Sequence, residues 1–184
     1  MTNDSIDNNT GDIGDDAGNI VGNTIVDNVV DLAARVGQAL HARKLLLCTA
    51  ESCTGGGVAQ AITGVEGSSG WFDSGFVTYS NASKSAMLAV PAALIAQFGA
   101  VSEEVAAAMA QGALANSAAD VALSTTGIAG PGGAVPGKPV GTVCFAWSRA
   151  GATQTERRVF GGDRAAVRQQ ATIHALAGLL RWIA

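Results

Sequence analysis

Apolar side chains at Ile25, Val29, Leu32, Ala33, Val36 and Leu40 recur with the 3.6-residue period of an α-helix. The pattern predicts a helix from Ile25, and His41, Arg43 and Lys44 follow where its negative end favours cations. Residues 45–50, LLLCTA, form a short continuous apolar run, as a strand buried on both faces does. ESCTGGG intervenes before the helix-like VAQAI. Residues 75–79, GFVTY, read as a second strand, broken at Ser80 and Asn81, with a short helix through Lys84 and Leu88. Pro91 opens another helical stretch, PAALIAQF. Ser102 is an N-cap, with Glu103 and Glu104 in the first turn of an alanine-rich helix reaching Ser117. Residues 121–125 are a third strand. In residues 140–148 Val143, Phe145 and Trp147 share one face and Thr142, Cys144 and Ala146 the other, and residues 153–160 return as a hairpin partner. A last helix runs from Arg164 to Trp182.

Strands and helices thus alternate with short connections. That order predicts an α/β fold, a three-layer α/β/α sandwich with a mixed sheet, antiparallel through the late hairpin. The 184 residues suit one domain. With 48% hydrophobic residues, 5% aromatics and 24 glycines, its core is expected to be built from Ala, Val, Leu and Ile with many tight turns. Residues 1–23 are rich in Asn, Asp and Gly and read as a mobile tail, leaving residues 24–184 as the domain.

The net charge of −4 conceals an asymmetry. Residues 1–34 carry seven Asp and no Lys or Arg, whereas the remaining 150 hold 11 basic and 8 acidic residues. A body so weakly basic, with no Lys/Arg run, argues against nucleic-acid binding by phosphate neutralisation. No apolar run approaches the roughly 20 residues that span a bilayer, and the polar, acidic start is unlike a signal or transit peptide. Three cysteines, Cys48, Cys53 and Cys144, do not make a disulfide framework, so a reducing cytoplasm is the expected compartment. Neither these cysteines nor His41 and His174 match zinc-ligand spacing, so no metal is expected.

Three loops at strand ends could carry chemistry, because ligands of α/β sheets sit at the carboxyl ends of the strands. In Glu51-Ser52-Cys53-Thr54-Gly55-Gly56-Gly57, free N–H groups at a helix start suit an anion, either a phosphate or a developing oxyanion; equally, the glycines serve close helix–strand packing. No Lys-Ser/Thr follows them, so this is not a P-loop, and Ala50 and Thr54 around Ser52 exclude the GxSxG elbow. Tyr79-Ser80-Asn81-Ala82-Ser83-Lys84 brings a phenol, an amide and an amine to another strand end, although a lone lysine is ordinarily solvated. The third, Thr126-Gly127-Ile128-Ala129-Gly130-Pro131-Gly132-Gly133, either lets backbone approach a ligand or is a surface loop.

TAESCTGG at 49–56, GFVTYSNASK at 75–84, GAVSEEVA at 99–106, TGIAGPGG at 126–133, KPVGTV at 138–143 and GGDR at 161–164 together resemble the CinA C-terminal domain family, in order and at familiar spacing over residues 25–183. Its stand-alone members are bacterial nicotinamide-nucleotide amidases. The resemblance implies hydrolysis of the carboxamide of nicotinamide mononucleotide to nicotinate mononucleotide and ammonia, in pyridine-nucleotide recycling, without a cofactor. It implies Ser52 as nucleophile, Lys84 as base, Tyr79 assisting proton movement and Arg164 binding substrate or organising the site. Cys53, Thr54, Gly55, Gly56, Asn81, Thr126, Gly127 and Gly130 stand as further substrate-binding candidates. Position 82 is Ala where the family often has Glu, and AVPG replaces a polar stretch before Lys138.

A base that works as a neutral amine must be poised well below the ordinary lysine pKa, so Lys84 is expected to be partly buried, near Ser52 and near a cation such as Arg164. Cys53 is the rival nucleophile. The oxyanion donors are expected from residues 53–56 or 127–130, the other loop holding the 5′-phosphate. The expected partners are a small nucleotide substrate and, from the resemblance, a second copy in a homodimer, for which the alanine-rich helix offers a flat face. A non-catalytic nucleotide-binding regulatory domain, an amidohydrolase with another substrate, and an interaction module are the competing readings.

Overall fold

The computed structural model describes residues 17–183, with side chains from Val29 onward. Among these residues five strands form one mixed sheet: β1 (Leu47–Glu51), β2 (Phe72–Val77), β3 (Val121–Gly127), β4 (Thr142–Arg149) and β5 (Ala152–Val159). Their order across the sheet is β2-β1-β3-β4-β5. β1 runs parallel to both neighbours, while β3, β4 and β5 pair antiparallel. The connection after β1 leads to β2 on one side, and the longer one after β2 returns to β3 on the other. The carboxyl end of β1 is therefore a topological switch point, where departing chains leave a crevice.

Among the described residues six α-helices flank the sheet: α1 (Ala17–Ala42), α2 (Gly57–Thr63), α3 (Asn81–Leu88), α4 (Ala92–Phe98), α5 (Glu103–Ala115) and α6 (Arg164–Ile183). The strand alternation divides them into two layers. Leu47, Val121, Leu123, Val143, Phe145 and Trp147 face Leu32, Val36 and Leu40 of α1, Val58 and Ile62 of α2, and Val167, Leu176 and Leu179 of α6. Cys48, Ala50, Ala122, Cys144 and Ala146 face Leu88, Ile95, Val105, Ala106, Met109 and Ala110. The two faces of β4 thus divide as their alternation predicts, and the architecture is the expected α/β/α sandwich.

Small residues on the second face let α5 approach closely. Ser124 Oγ donates to the Ala106 carbonyl at 2.7 Å, and Ala106, Ala110 and Ala113 are wholly buried. These three alanines are therefore spent inside the subunit, while Ala107 and Ala108 are half-buried and Ala115 is exposed. Gly112 meets the end of α3 so tightly that a Cβ there would fall 2.0 Å from the Leu88 carbonyl oxygen. On the opposite face Trp147 fills the space that Gly178 leaves and donates from Nε1 to the Ala175 carbonyl, which sets the register of α6.

Several boundaries differ from the sequence pattern. The first helix begins at Ala17, ahead of Ile25 and inside the stretch read as tail; residues 1–16 lie outside the described residues. β1 starts at Leu47 because Leu46 N–H donates to the Asp120 carboxylate instead of to a strand. β2 ends at Val77, placing Tyr79 beyond the sheet. Ser102 does cap α5, accepting from Val105 N–H.

Candidate active site

Ser52 directly follows β1 and prolongs its pairing, its N–H donating to the Thr125 carbonyl at 2.9 Å. Lys84 sits in the first turn of α3, which starts at a capping box: Ser80 Oγ accepts from Ser83 N–H, and Ser83 Oγ from Ser80 N–H. The packing of α3 on α5 buries Lys84 to 2% exposure. Its Nζ lies 3.1 Å from Ser52 Oγ and 2.9 Å from the Thr78 carbonyl. Burial pulls the Lys84 pKa below its ordinary value of 10.5. Burial also pushes the Cys53 thiol up to about 12, so Cys53 is an uncharged thiol at neutral pH. The Arg164 guanidinium, expected to help lower the lysine, is instead engaged elsewhere. Ala82 is exposed and takes no part in holding Lys84.

A neutral lysine amine has two hydrogens and one lone pair. With one hydrogen given to Thr78 C=O, the lone pair can accept from Ser52 O–H. The ammonium form reverses that contact and donates to Oγ. The pair can therefore pass a proton in either direction without moving a heavy atom.

Glu51, the last residue of β1, is fully buried and carries a role the sequence reading missed. Its Oε2 accepts from Val58 N–H and Thr54 O–H, and its Oε1 from Ala59 N–H. The first turn of α2 is thus occupied by the chain's own carboxylate, and those amides are unavailable to a substrate anion. Thr54 Oγ1 also contacts Thr125 Oγ1 at 2.7 Å, which ties the nucleophile turn to β3. Capping rules look for a residue adjacent to the helix in sequence, whereas Glu51 reaches over from a strand.

A cleft of about 210 Å³ opens at Ser52, lined also by Cys53, Tyr79, Gly127, Ala129 and Arg164. Arg164 is the first residue of α6, whose start is capped by Asp163 accepting from Ala166 N–H. Its guanidinium donates to Tyr79 Oη at 2.7 Å and to the Gly130 carbonyl at 2.9 Å, clasping the loops that follow β2 and β3. Ser52, Lys84, Cys53, Tyr79, Gly127, Gly130 and Arg164 are therefore brought together.

The other candidates are not. Thr54 is buried in the Glu51 network. Gly55 packs against Arg168 and Gly56 against Val77, both outside the cleft lining. Asn81 faces a separate depression beside Ala92 and Ile95. Thr126 turns its hydroxyl to the Ala100 carbonyl. Arg168, which the sequence reading missed, donates from Nη2 to the Thr54 carbonyl at 2.9 Å; its place four residues, about one helical turn, after Arg164 is the signal that could have found it. Among the described residues no three His, Cys, Asp or Glu side chains converge as a metal site requires, and no helix is long and apolar enough to cross a membrane.

The chain is 53% identical over 156 residues to the nicotinamide-nucleotide amidohydrolase PncC of Pseudomonas putida, covering 85% of this chain and 98% of that protein. It is 55% identical over 152 residues to the protein of the same name in Escherichia coli K12, covering 82% and 92%. A CinA superfamily protein from Klebsiella pneumoniae superposes with a TM-score of 0.82 at 41% identity, over 84% of this chain and 97% of that one. The competence/damage inducible protein CihA of Agrobacterium tumefaciens gives 0.81 at 41% identity, over 84% and 94%. The family model of the CinA C-terminal domain matches residues 29–183, and the chain belongs to that family.

Proposed function

We propose that this protein hydrolyses the carboxamide of nicotinamide mononucleotide to nicotinate mononucleotide and ammonia through a Ser52–Lys84 pair, returning the pyridine ring to NAD synthesis. The observation that carries the reading is a buried amine 3.1 Å from a serine hydroxyl at a strand-end cleft. Relatives named nicotinamide-nucleotide amidohydrolase supply the substrate.

In this scheme Ser52 Oγ attacks the carbonyl carbon while its proton passes to the neutral Lys84 amine. The carbonyl π pair moves to oxygen and gives a tetrahedral oxyanion, held by the Cys53 N–H. That amide follows the nucleophile in sequence and donates to no carbonyl among the described residues. The Lys84 ammonium then protonates the leaving nitrogen, the C–N bond breaks, and ammonia departs. Water attacks the resulting ester with Lys84 again as base, releasing the carboxylate and restoring Ser52. Tyr79, held by Arg164 at the mouth, assists proton movement, and the guanidinium faces the anionic nucleotide. Both nucleophile and base are side chains, so the scheme uses no cofactor. A cytoplasmic homodimer belongs to the same proposal, and light scattering tests its assembly.

The direct test measures ammonia release from the mononucleotide and from free nicotinamide side by side. Turnover of the mononucleotide alone is expected. Turnover of nicotinamide alone would reassign the substrate, and no turnover of either would favour a nucleotide-binding module.

A further inference from the structure

Arg168 is an unusual residue to find behind a nucleophile turn. It is partly buried, its Nε is shut off from solvent without a hydrogen-bond partner, and no carboxylate pairs with it among the described residues. Arg168 also borders a surface depression with Thr54, Gly57 and Thr172, so its charge is partly, not wholly, withdrawn from water. Among the described residues its one hydrogen bond runs from Nη2 to the Thr54 carbonyl.

That bond is the first link of a chain through two peptide groups. The Thr54 carbonyl belongs to the same peptide as the Gly55 N–H, which donates to the Ser52 carbonyl at 3.1 Å. The Ser52 carbonyl shares its peptide with the Cys53 N–H, and Cys53 is among the residues that line the cleft. Gly55 makes the turn possible with φ of +62°, and a Cβ there would lie 3.1 Å from Arg168 Nη2. Each bond in such a series polarises the next, so a positive charge at one end strengthens the donor at the other.

We infer that Arg168 is a positioning residue for amide hydrolysis: acting through the Thr54–Gly55 and Ser52–Cys53 peptides, its charge orients and polarises the Cys53 N–H toward the oxyanion formed on the substrate. It never touches the substrate. The inference rests on the reading of Ser52 as nucleophile and adds a second arginine, distinct in function from Arg164 at the cleft mouth. It also gives this unpaired, half-buried charge a use that arises only when negative charge develops.

The test compares Arg168→Met, Arg168→Gln and Arg168→Lys with Ser52→Ala, after circular dichroism has established that each is folded. For Met and Gln, kcat should fall about 10-fold to 100-fold with KM within about 2-fold, and Lys should recover part of the loss by restoring the charge. Affinity for the carboxaldehyde analogue of the mononucleotide, whose adduct with Ser52 carries the oxyanion, should fall by the same factor as kcat/KM. Affinity for nicotinate mononucleotide should stay unchanged. Unaltered kcat in the Met and Gln variants, with Ser52→Ala inactive, overturns the inference alone. So does an equal loss of affinity for product and aldehyde, the mark of a merely structural role. Should Met and Gln fail to fold, the Lys variant decides by the same two affinities. An active Ser52→Ala variant would instead remove the reading beneath.

Discussion

Lys84 Nζ and Ser52 Oγ lie 3.1 Å apart although 32 residues of chain separate them. One is carried by a helix of the second layer and the other by the turn after the central parallel strand. The contact exists because α3 packs its buried side on α5 at the point where β1 ends.

Ser52→Ala should lower ammonia release by about 10,000-fold or more, as losses of a nucleophile do. Cys53→Ala should keep most activity, since a thiol pushed up to about 12 holds almost no thiolate at neutral pH. Steady-state kinetics on both variants check this, and the opposite ranking would make Cys53 the nucleophile.

Lys84 works as a base only when neutral, so kcat/KM should rise with pH to a plateau whose midpoint lies below 10.5. Lys84→Arg stays protonated and should be inactive across the profile. A midpoint at or above the ordinary lysine value would contradict the role given to burial.

The same shift makes a stability prediction. The native pKa is lowered, so between it and 10.5 the unfolded chain binds more protons than the native one. Stability relative to a Lys84→Met variant should therefore rise with pH through that window and level off above it. Urea titrations at several pH values measure the difference; a difference that falls with pH would be inconsistent with a buried ammonium.

Glu51→Ala leaves the Val58 and Ala59 amides and the Thr54 hydroxyl without their acceptor. A loss of about 3 kcal/mol or more is expected, against about 1–2 kcal/mol for Thr54→Val, which removes one donor. Denaturant unfolding checks the order. Glu51→Ala at wild-type stability would mean that the cap is dispensable.

Gly112→Ala places a methyl group against the Leu88 carbonyl and must push α3 away from α5. The expected cost is about 1–3 kcal/mol. Because α3 carries Lys84, kcat should fall as well, while Gly70→Ala, outside the cleft lining and with no atom near its Cβ position, should spare activity. A Gly112→Ala enzyme with full kcat would uncouple this packing from catalysis.

The class of fold was legible because periodicity is local. Leu32, Val36 and Leu40 mark a helix face, and Val143, Phe145 and Trp147 a strand face, whatever surrounds them. The run of motifs from TAESCTGG to GGDR placed the chain in its family and pointed to Ser52 and Lys84. Boundaries were less legible where a distant side chain intervened, as Asp120 does at Leu46.

The sequence by itself determined which residues can act as nucleophile, amine, phenol and guanidinium, and on which kinds of element they ride. Tertiary structure alone decided their states. A lysine at the start of a short helix is ordinarily solvated; here long-range packing strips its water and so turns it from a surface cation into a candidate base. The amides at the start of α2 would be open to an anion had Glu51 not reached them from the neighbouring strand. Charge state and hydrogen-bond occupancy depend on the few ångströms around each group, and those are supplied by residues remote in the chain.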